Sequence, residues 1–184
     1  MLFRSGHTLA ALGLTQADIP RPKGCAVQLR VNVERMAPDG RVMPAGGTVR
    51  AYEPPAGPGI RVDGCGHAGL QPHPGFDTLL AKVIVHHPHG WLPALQRARR
   101  ALAEFRLDGV DSNIAFLQAI LAHADLSAYG VSTRWLGQHA STLLVDAAHQ
   151  PRPKALTHSW HAGATAEAAG GAAAVAVPEG TVPL

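Results

Sequence analysis

The stretch CAVQLRVNVE, residues 25–34, decides the fold, because its apolar residues alternate strictly with polar ones. Val27, Leu29, Val31 and Val33 fall on one face of an extended chain, and Gln28, Arg30, Asn32 and Glu34 on the other. That period of two predicts a strand with one buried face and one polar face. A second apolar run, LLAKVIV at 79–85, ends in β-branched residues and predicts a buried strand in which Lys82 snorkels or is paired. Between the two, Thr48–Tyr52 and Ile60–Val62 read as short strands separated by PPAGPG, and antiparallel pairing across that turn is the natural expectation.

Helical periodicity takes over further on. Trp91, Leu95, Ala98, Leu102 and Phe105 lie on one side of a helix, with Gln96, Arg97, Arg100 and Glu104 opposite. Pro93 sits in the first turn, where its missing N–H costs nothing, and Gly109 reads as the helix stop. A second helix begins after DSN with Asp111 or Ser112 as cap, carries Ile114, Leu117 and Leu121 inward, and runs to about His123. Near the start, Leu9, Leu12 and Leu14 with Gly13 read as the last turns of a helix that ends at glycine. These patterns predict an α+β fold, an antiparallel sheet with packed helices.

Composition limits the function. The 184 residues carry 16 Lys and Arg against 13 Asp and Glu, scattered without a basic stripe, and aromatics are 5% of the chain. Neither phosphate tracking nor base stacking is indicated, so no nucleic-acid partner is expected. Cys25 and Cys65 form no CxxC and read as buried small apolar residues in a reducing compartment. No run approaches the ~18 apolar residues of a membrane span, so no membrane association is expected and the assignment is cytoplasmic. The cluster VIVHHPHGW at 83–91 brings His86, His87 and His89 close in sequence, but Pro88 and Gly90 are turn chemistry and no carboxylate partner accompanies them. It reads as a strand-to-helix turn, and no metal ligands are assigned.

Taken in order, GCAVQLRVNVE, PPAGPGIRVD, FDTLLAKVIV and ALAEFRLDGVDSNIAFLQAIL resemble the C-terminal domain of biotin carboxylase, as found in acetyl-CoA, propionyl-CoA and pyruvate carboxylases. The resemblance covers residues 9–136. It implies a fragment of an ATP-dependent ligase, inactive alone, that carboxylates carrier-bound biotin with bicarbonate through a carboxyphosphate. It also implies a cation beside the biotin, which must become enolate-like. Arg30 matches that arginine as the catalytic residue. Glu34 and Asp77 are assigned to the neighbourhood of the biotin site, Thr133 in VSTRWL lies next to the nucleotide, and Arg61 in GIRVD matches the dimer interface.

The resemblance further implies partners outside the sequence. ATP and Mg would be bound mainly by a preceding ATP-grasp portion, since no glycine-rich phosphate loop or carboxylate cluster is present here. Biotin would sit on a carrier domain, and a carboxyltransferase would choose between acyl-CoA and keto-acid substrates, with an acyl-CoA carboxylase favoured because a carrier domain follows so closely. A homodimer is implied as well. Residues 1–14 read as the end of a preceding region and 15–140 as the domain. Residues 141–177 read as an Ala/Gly-rich linker, and 178–184 resemble the start of a biotinyl carrier domain. The alternatives are a non-catalytic module that docks a carrier or carboxylase subunit, and an inert fragment with an uncovered face.

Overall fold

A computed structural model of the chain describes residues 5–37, 41–73 and 75–151. Seven strands and four helices follow in the order β1 (Cys25–Asn32), β2 (Glu34–Met36), β3 (Val42–Pro44), β4 (Gly47–Glu53), β5 (Ile60–Gly64), β6 (Leu79–His87), α1 (Trp91–Glu104), β7 (Arg106–Val110), α2 (Ile114–Ala122), α3 (Ala124–Ser127) and α4 (Trp135–Ala148). The α+β class read from the sequence is the class observed.

The core sheet has three antiparallel strands in the order β1-β6-β5. Its central strand is the apolar run at 79–87, with Val83 opposite Leu29 on one side and Val62 on the other. Alternation in β1 survives intact: Leu29 and Val31 are buried while Gln28 and Arg30 are exposed. Helix α1 lays Leu95, Ala98, Ala101 and Leu102 against Leu29, Val31, Val83 and Val85, and Phe105 closes the end of this cluster. Each fully buried Leu or Val here contributes about 1.5–3 kcal/mol relative to exposure. Alanines in the buried stripe let the helix backbone approach the sheet closely.

The chain leaves the core sheet at a register shift between Val31 and Asn32. The run 25–34, which reads as one strand, is therefore two: beyond Val33 it pairs with β3 in a separate two-stranded sheet. Val33 stays buried because the alternation carries across the bend, where its N–H donates to the Thr78 carbonyl and its own carbonyl accepts from Ala45.

Four expectations are corrected. The two cysteines are not both buried: Cys25 is half-buried at the start of the edge strand β1, and Cys65, just past the end of β5, is exposed. The strands flanking PPAGPG do not pair with each other: β4 pairs with β7, and β5 with β6. Turn residues specify that the chain reverses, and leave open whether the flanking strands share a ladder. Gly109 is no helix stop. Helix α1 ends at Glu104, with Phe105 extended at its C-terminus, and Gly109 lies inside β7 at φ +95°, where an added Cβ would lie 2.1 Å from the Thr48 carbonyl oxygen. It is a glycine of close strand approach beside the irregular register of β4. Residues 9–14 form no helix; they make a single turn closed by Leu14 N–H to the Leu9 carbonyl and Gly13 N–H to the Ala10 carbonyl, with Gly13 at φ +63°. This is a Schellman ending on a one-turn body, and Leu9 and Leu14 remain exposed.

Helix α4 packs on α2 through Phe116, Ala119, Trp135 and Leu143. It continues unbroken to Ala148, across the 140/141 boundary at which the composition suggests a linker. The remainder of that segment from 152, and residues 178–184, lie outside the described residues.

Candidate functional site

At the C-terminal end of β1 the register shift frees backbone groups that a ladder would otherwise occupy, a common device for aiming a side chain. Asn113 fills the gap. Its Oδ1 accepts the Asn32 N–H at 2.9 Å, its Nδ2 donates to the Arg30 carbonyl at 3.0 Å, and its backbone N–H donates to the Asn32 carbonyl at 3.2 Å. Asn113 is the first residue before α2 but makes no side-chain cap. Neither Asp111 nor Ser112 occupies that place, and Asp111 instead pairs with Arg35. The amide that would close a helix end closes a sheet end.

Around this tether, Glu34 accepts from Asn32 Nδ2 at 3.0 Å, Thr78 Oγ1 at 3.2 Å and Asn113 Nδ2 at 3.2 Å. Its carboxylate is thus engaged by three neutral donors. Asn32 Oδ1 is buried with no hydrogen-bond partner. The amide is not simply reversed, because turning it would set an oxygen against the Glu34 carboxylate.

Arg30 projects from the polar face of β1. Its guanidinium makes one long contact, Nη2 to Asp77 Oδ2 at 3.4 Å, between side chains that are 51% and 70% exposed. Such a pair is worth under about 1 kcal/mol, and it leaves most of the guanidinium donors unspent. Asp77 is also used locally, where its Oδ1 accepts the Leu79 N–H at 3.0 Å and caps the start of β6.

Arg30, Glu34 and Asp77 are therefore brought together, and Arg61 and Thr133 are placed elsewhere. Arg61 lies on the edge strand β5 and forms a two-point pair with Asp63, Nε to Oδ1 and Nη2 to Oδ2, both at 2.8 Å. That hydrogen bonding raises the Arg61 pKa and lowers that of Asp63. Thr133 is exposed in the turn before α4. Asn113, Asn32 and Thr78 are hydrogen-bonding neighbours of this group that the sequence patterns do not single out. The only local signal for Asn113 is the DSN triplet, which reads equally well as a helix cap.

The histidine run follows the turn reading in part. His86 and His87 belong to the end of β6, His86 Nε2 meets the Lys23 carbonyl at 3.0 Å, and the His87 and His89 rings lie 5.4 Å apart. Desolvation, with Arg97 and the neighbouring histidines adding, lowers the His87 pKa. Among the described residues the one group of side chains suited to hold a metal is elsewhere: His123, Asp125 and His139.

The strand end, the engaged acid and the underused arginine form one polar corner at the end of β1. The profile of the biotin carboxylase C-terminal domain matches residues 28–138. This chain belongs to the biotin carboxylase C-terminal domain family.

Individual relatives agree. The chain is 36% identical over 162 residues to the mitochondrial pyruvate carboxylase of Homo sapiens, covering 85% of this chain and 13% of that enzyme. It is 34% identical over 125 residues to Biotin carboxylase 1 of Bacillus subtilis, covering 68% and 27%. Among solved structures, the biotin carboxylase domain of a single-chain bacterial carboxylase superposes with a TM-score of 0.66 at 45% identity, over 79% of this chain and 32% of that one. The chain thus spans well under half the length of the relatives it matches. No helix among the described residues is long and apolar enough to cross a membrane.

Proposed function

We propose that this chain supplies the carboxyl-transfer side of a biotin carboxylase site, in a biotin-dependent carboxylase of the acyl-CoA type, with Arg30 as its catalytic residue. One observation carries the reading: Arg30 stands on a strand pinned at its own carbonyl by Asn113, yet its guanidinium makes a single 3.4 Å contact. A cation so held and so little neutralised suits negative charge that develops during reaction, because the surrounding dipoles need no reorganisation. Biotin, when presented by a carrier domain, supplies the nitrogen that accepts carbon dioxide. The unsatisfied acceptor of Asn32 beside this corner fits a site completed by a further donor.

The remaining residues support this arrangement. Glu34, spent on three neutral donors, fixes the Asn32 and Asn113 amides in one orientation. Asp77 keeps the guanidinium aimed outward while capping β6. Thr133 borders the nucleotide, whose ATP and Mg contacts belong to an ATP-grasp portion. Arg61, on the outer edge of β5, faces a second copy of the domain. A carboxyltransferase receives the loaded carrier, and the free Cys25 and Cys65 suit a cytoplasmic enzyme.

The test is Arg30→Ala and Arg30→Lys in the complete carboxylase that carries this domain. Biotin-dependent turnover should fall roughly a hundredfold or more in the alanine variant with the KM for ATP nearly unchanged. Lysine should restore little, because a point charge does not replace the planar fork. Unaltered turnover would remove Arg30 from the mechanism.

A further inference from the structure

Far along the chain from the Arg30 corner, α4 crosses the junction of α2 and α3 over a second polar cluster that this reaction does not use. Asp125 Oδ2 lies 3.8 Å from His123 Nδ1 and 3.9 Å from His139 Nε2. One donor atom from each of the three residues falls within 4.8 Å of the other two, and all three side chains are half-buried.

The hydrogen bonds around these rings fix what faces inward. His139 Nδ1 lies 2.9 Å from the Trp135 carbonyl, so Nδ1 carries the proton and Nε2 presents a lone pair. His123 Nδ1 accepts the Asp125 N–H at 3.2 Å, so it too is unprotonated. The His139 Nε2 lone pair and the Asp125 carboxylate therefore lie near a His123 Nδ1 whose lone pair the Asp125 N–H now holds, while Trp135 Nε1–H donates to Asp125 Oδ2 at 2.8 Å. A cation bound between the three side chains would replace the Asp125 N–H at His123 Nδ1 and give His139 Nε2 a partner.

We propose that His123, Asp125 and His139 bind one divalent transition-metal ion of the zinc, cobalt or nickel class. Two imidazoles and one carboxylate are the donor set such borderline ions prefer, whereas magnesium and calcium require oxygen donors. Ligand distances of about 2.0–2.2 Å place neighbouring donors roughly 3.3 Å apart in a tetrahedron, so the 3.8 and 3.9 Å separations from Asp125 need to close by about half an ångström and the separation of the two imidazole donors, within 4.8 Å, by up to about 1.5 Å. The supporting bonds match those of established metal sites: the His139 N–H is held by a main-chain carbonyl and the ligating carboxylate is held by an indole. Trp135 also stacks on His139 at 4.7 Å and meets the His123 ring edge-on at 4.9 Å, locking both imidazoles. His123 lines a surface hollow with Ala122, Asp146 and His149, which gives an entry path from solvent. The bound ion joins the start of α4 to the α2–α3 junction, and its remaining coordination position is open to water.

The experiment titrates the untagged 184-residue chain with Co2+, following visible absorption and the thermal midpoint. The expected result is one equivalent bound with a tetrahedral cobalt spectrum and a rise in Tm. His139→Gln, which keeps size and polarity, should weaken binding roughly tenfold or more. Trp135→Phe should weaken it about tenfold through loss of the supporting bond. His89→Gln controls for the histidine run at 86–89 and should change nothing. The proposal is overturned if Co2+ fails to saturate by about 100 µM, as for a cluster held together by protons instead. It is equally overturned if His89→Gln abolishes binding while His139→Gln, with its metal-free Tm preserved, does not.

Discussion

Asn113 holds the strand that carries Arg30: across 83 positions of sequence its side-chain Nδ2 donates to the Arg30 carbonyl at 3.0 Å, while its Oδ1 takes the Asn32 N–H. Removing this amide strands several half-buried partners at once. Asn113→Ala should cost about 2–3 kcal/mol in urea denaturation, from the desolvated groups left unpaired. In a complete carboxylase it should also lower turnover with little change in the KM for ATP, since Arg30 loses its placement and not its charge. Asn113→Asp should be no better, because its second oxygen would face the Arg30 carbonyl and Glu34.

Phe105 is 1% exposed and meets Tyr52 edge-on at 5.5 Å. It joins the core sheet cluster to the β4–β7 pair. Phe105→Ala should destabilise the fold by about 3–5 kcal/mol, the usual cost of an emptied aromatic site. A loss of stability less than a quarter of that would mean the cavity collapses.

Gly109→Ala tests the β4–β7 register. A methyl group there would press on main-chain atoms, the Thr48 carbonyl oxygen at 2.1 Å and the Arg50 nitrogen at 2.9 Å, with φ at +95°. Neither neighbour can swing away as a side chain would. The variant should lose more than about 1 kcal/mol and show faster amide exchange at Ala51 and Glu53 than at Val83.

The lowered pKa of His87, caused first by desolvation and then by Arg97, sets a pH dependence. With the folded value below the unfolded value of about 6.5, the unfolded chain holds more protons between the two. Stability from this group is therefore complete above about pH 6.5 and is lost as pH falls through the folded pKa. His87→Gln should flatten the decline of Tm below about pH 6.5. An NMR titration placing His87 above about 6.5 would reverse the sign and contradict the assignment.

Arg61→Glu sets two acids on the same face of β5 in place of the Arg61–Asp63 pair. Both partners are well exposed, so folding should change by less than about 1 kcal/mol. The association of the complete biotin carboxylase should weaken measurably by sedimentation velocity. An unchanged dimer would move the interface away from this edge.

Much of this protein is written locally. The alternation in CAVQLRVNVE set which face of β1 is buried and placed Arg30 on the polar face, and the Trp91–Leu95–Ala98–Leu102 stripe set the buried side of α1. These follow from sequence alone because a strand repeats about every two residues and a helix about every 3.6, so one buried face leaves its period in the chain. Partner choice leaves no such record. That β4 pairs with β7 instead of β5, that Gly109 serves a close strand crossing, and that Asn113 ties off β1 instead of α2 are settled by ladders and contacts between distant segments. The cluster of His123, Asp125 and His139 is of the same kind. Its members share no short motif, and only the packing of α4 over the α2–α3 junction, driven by Phe116, Trp135 and Leu143, turns their donor atoms toward one point.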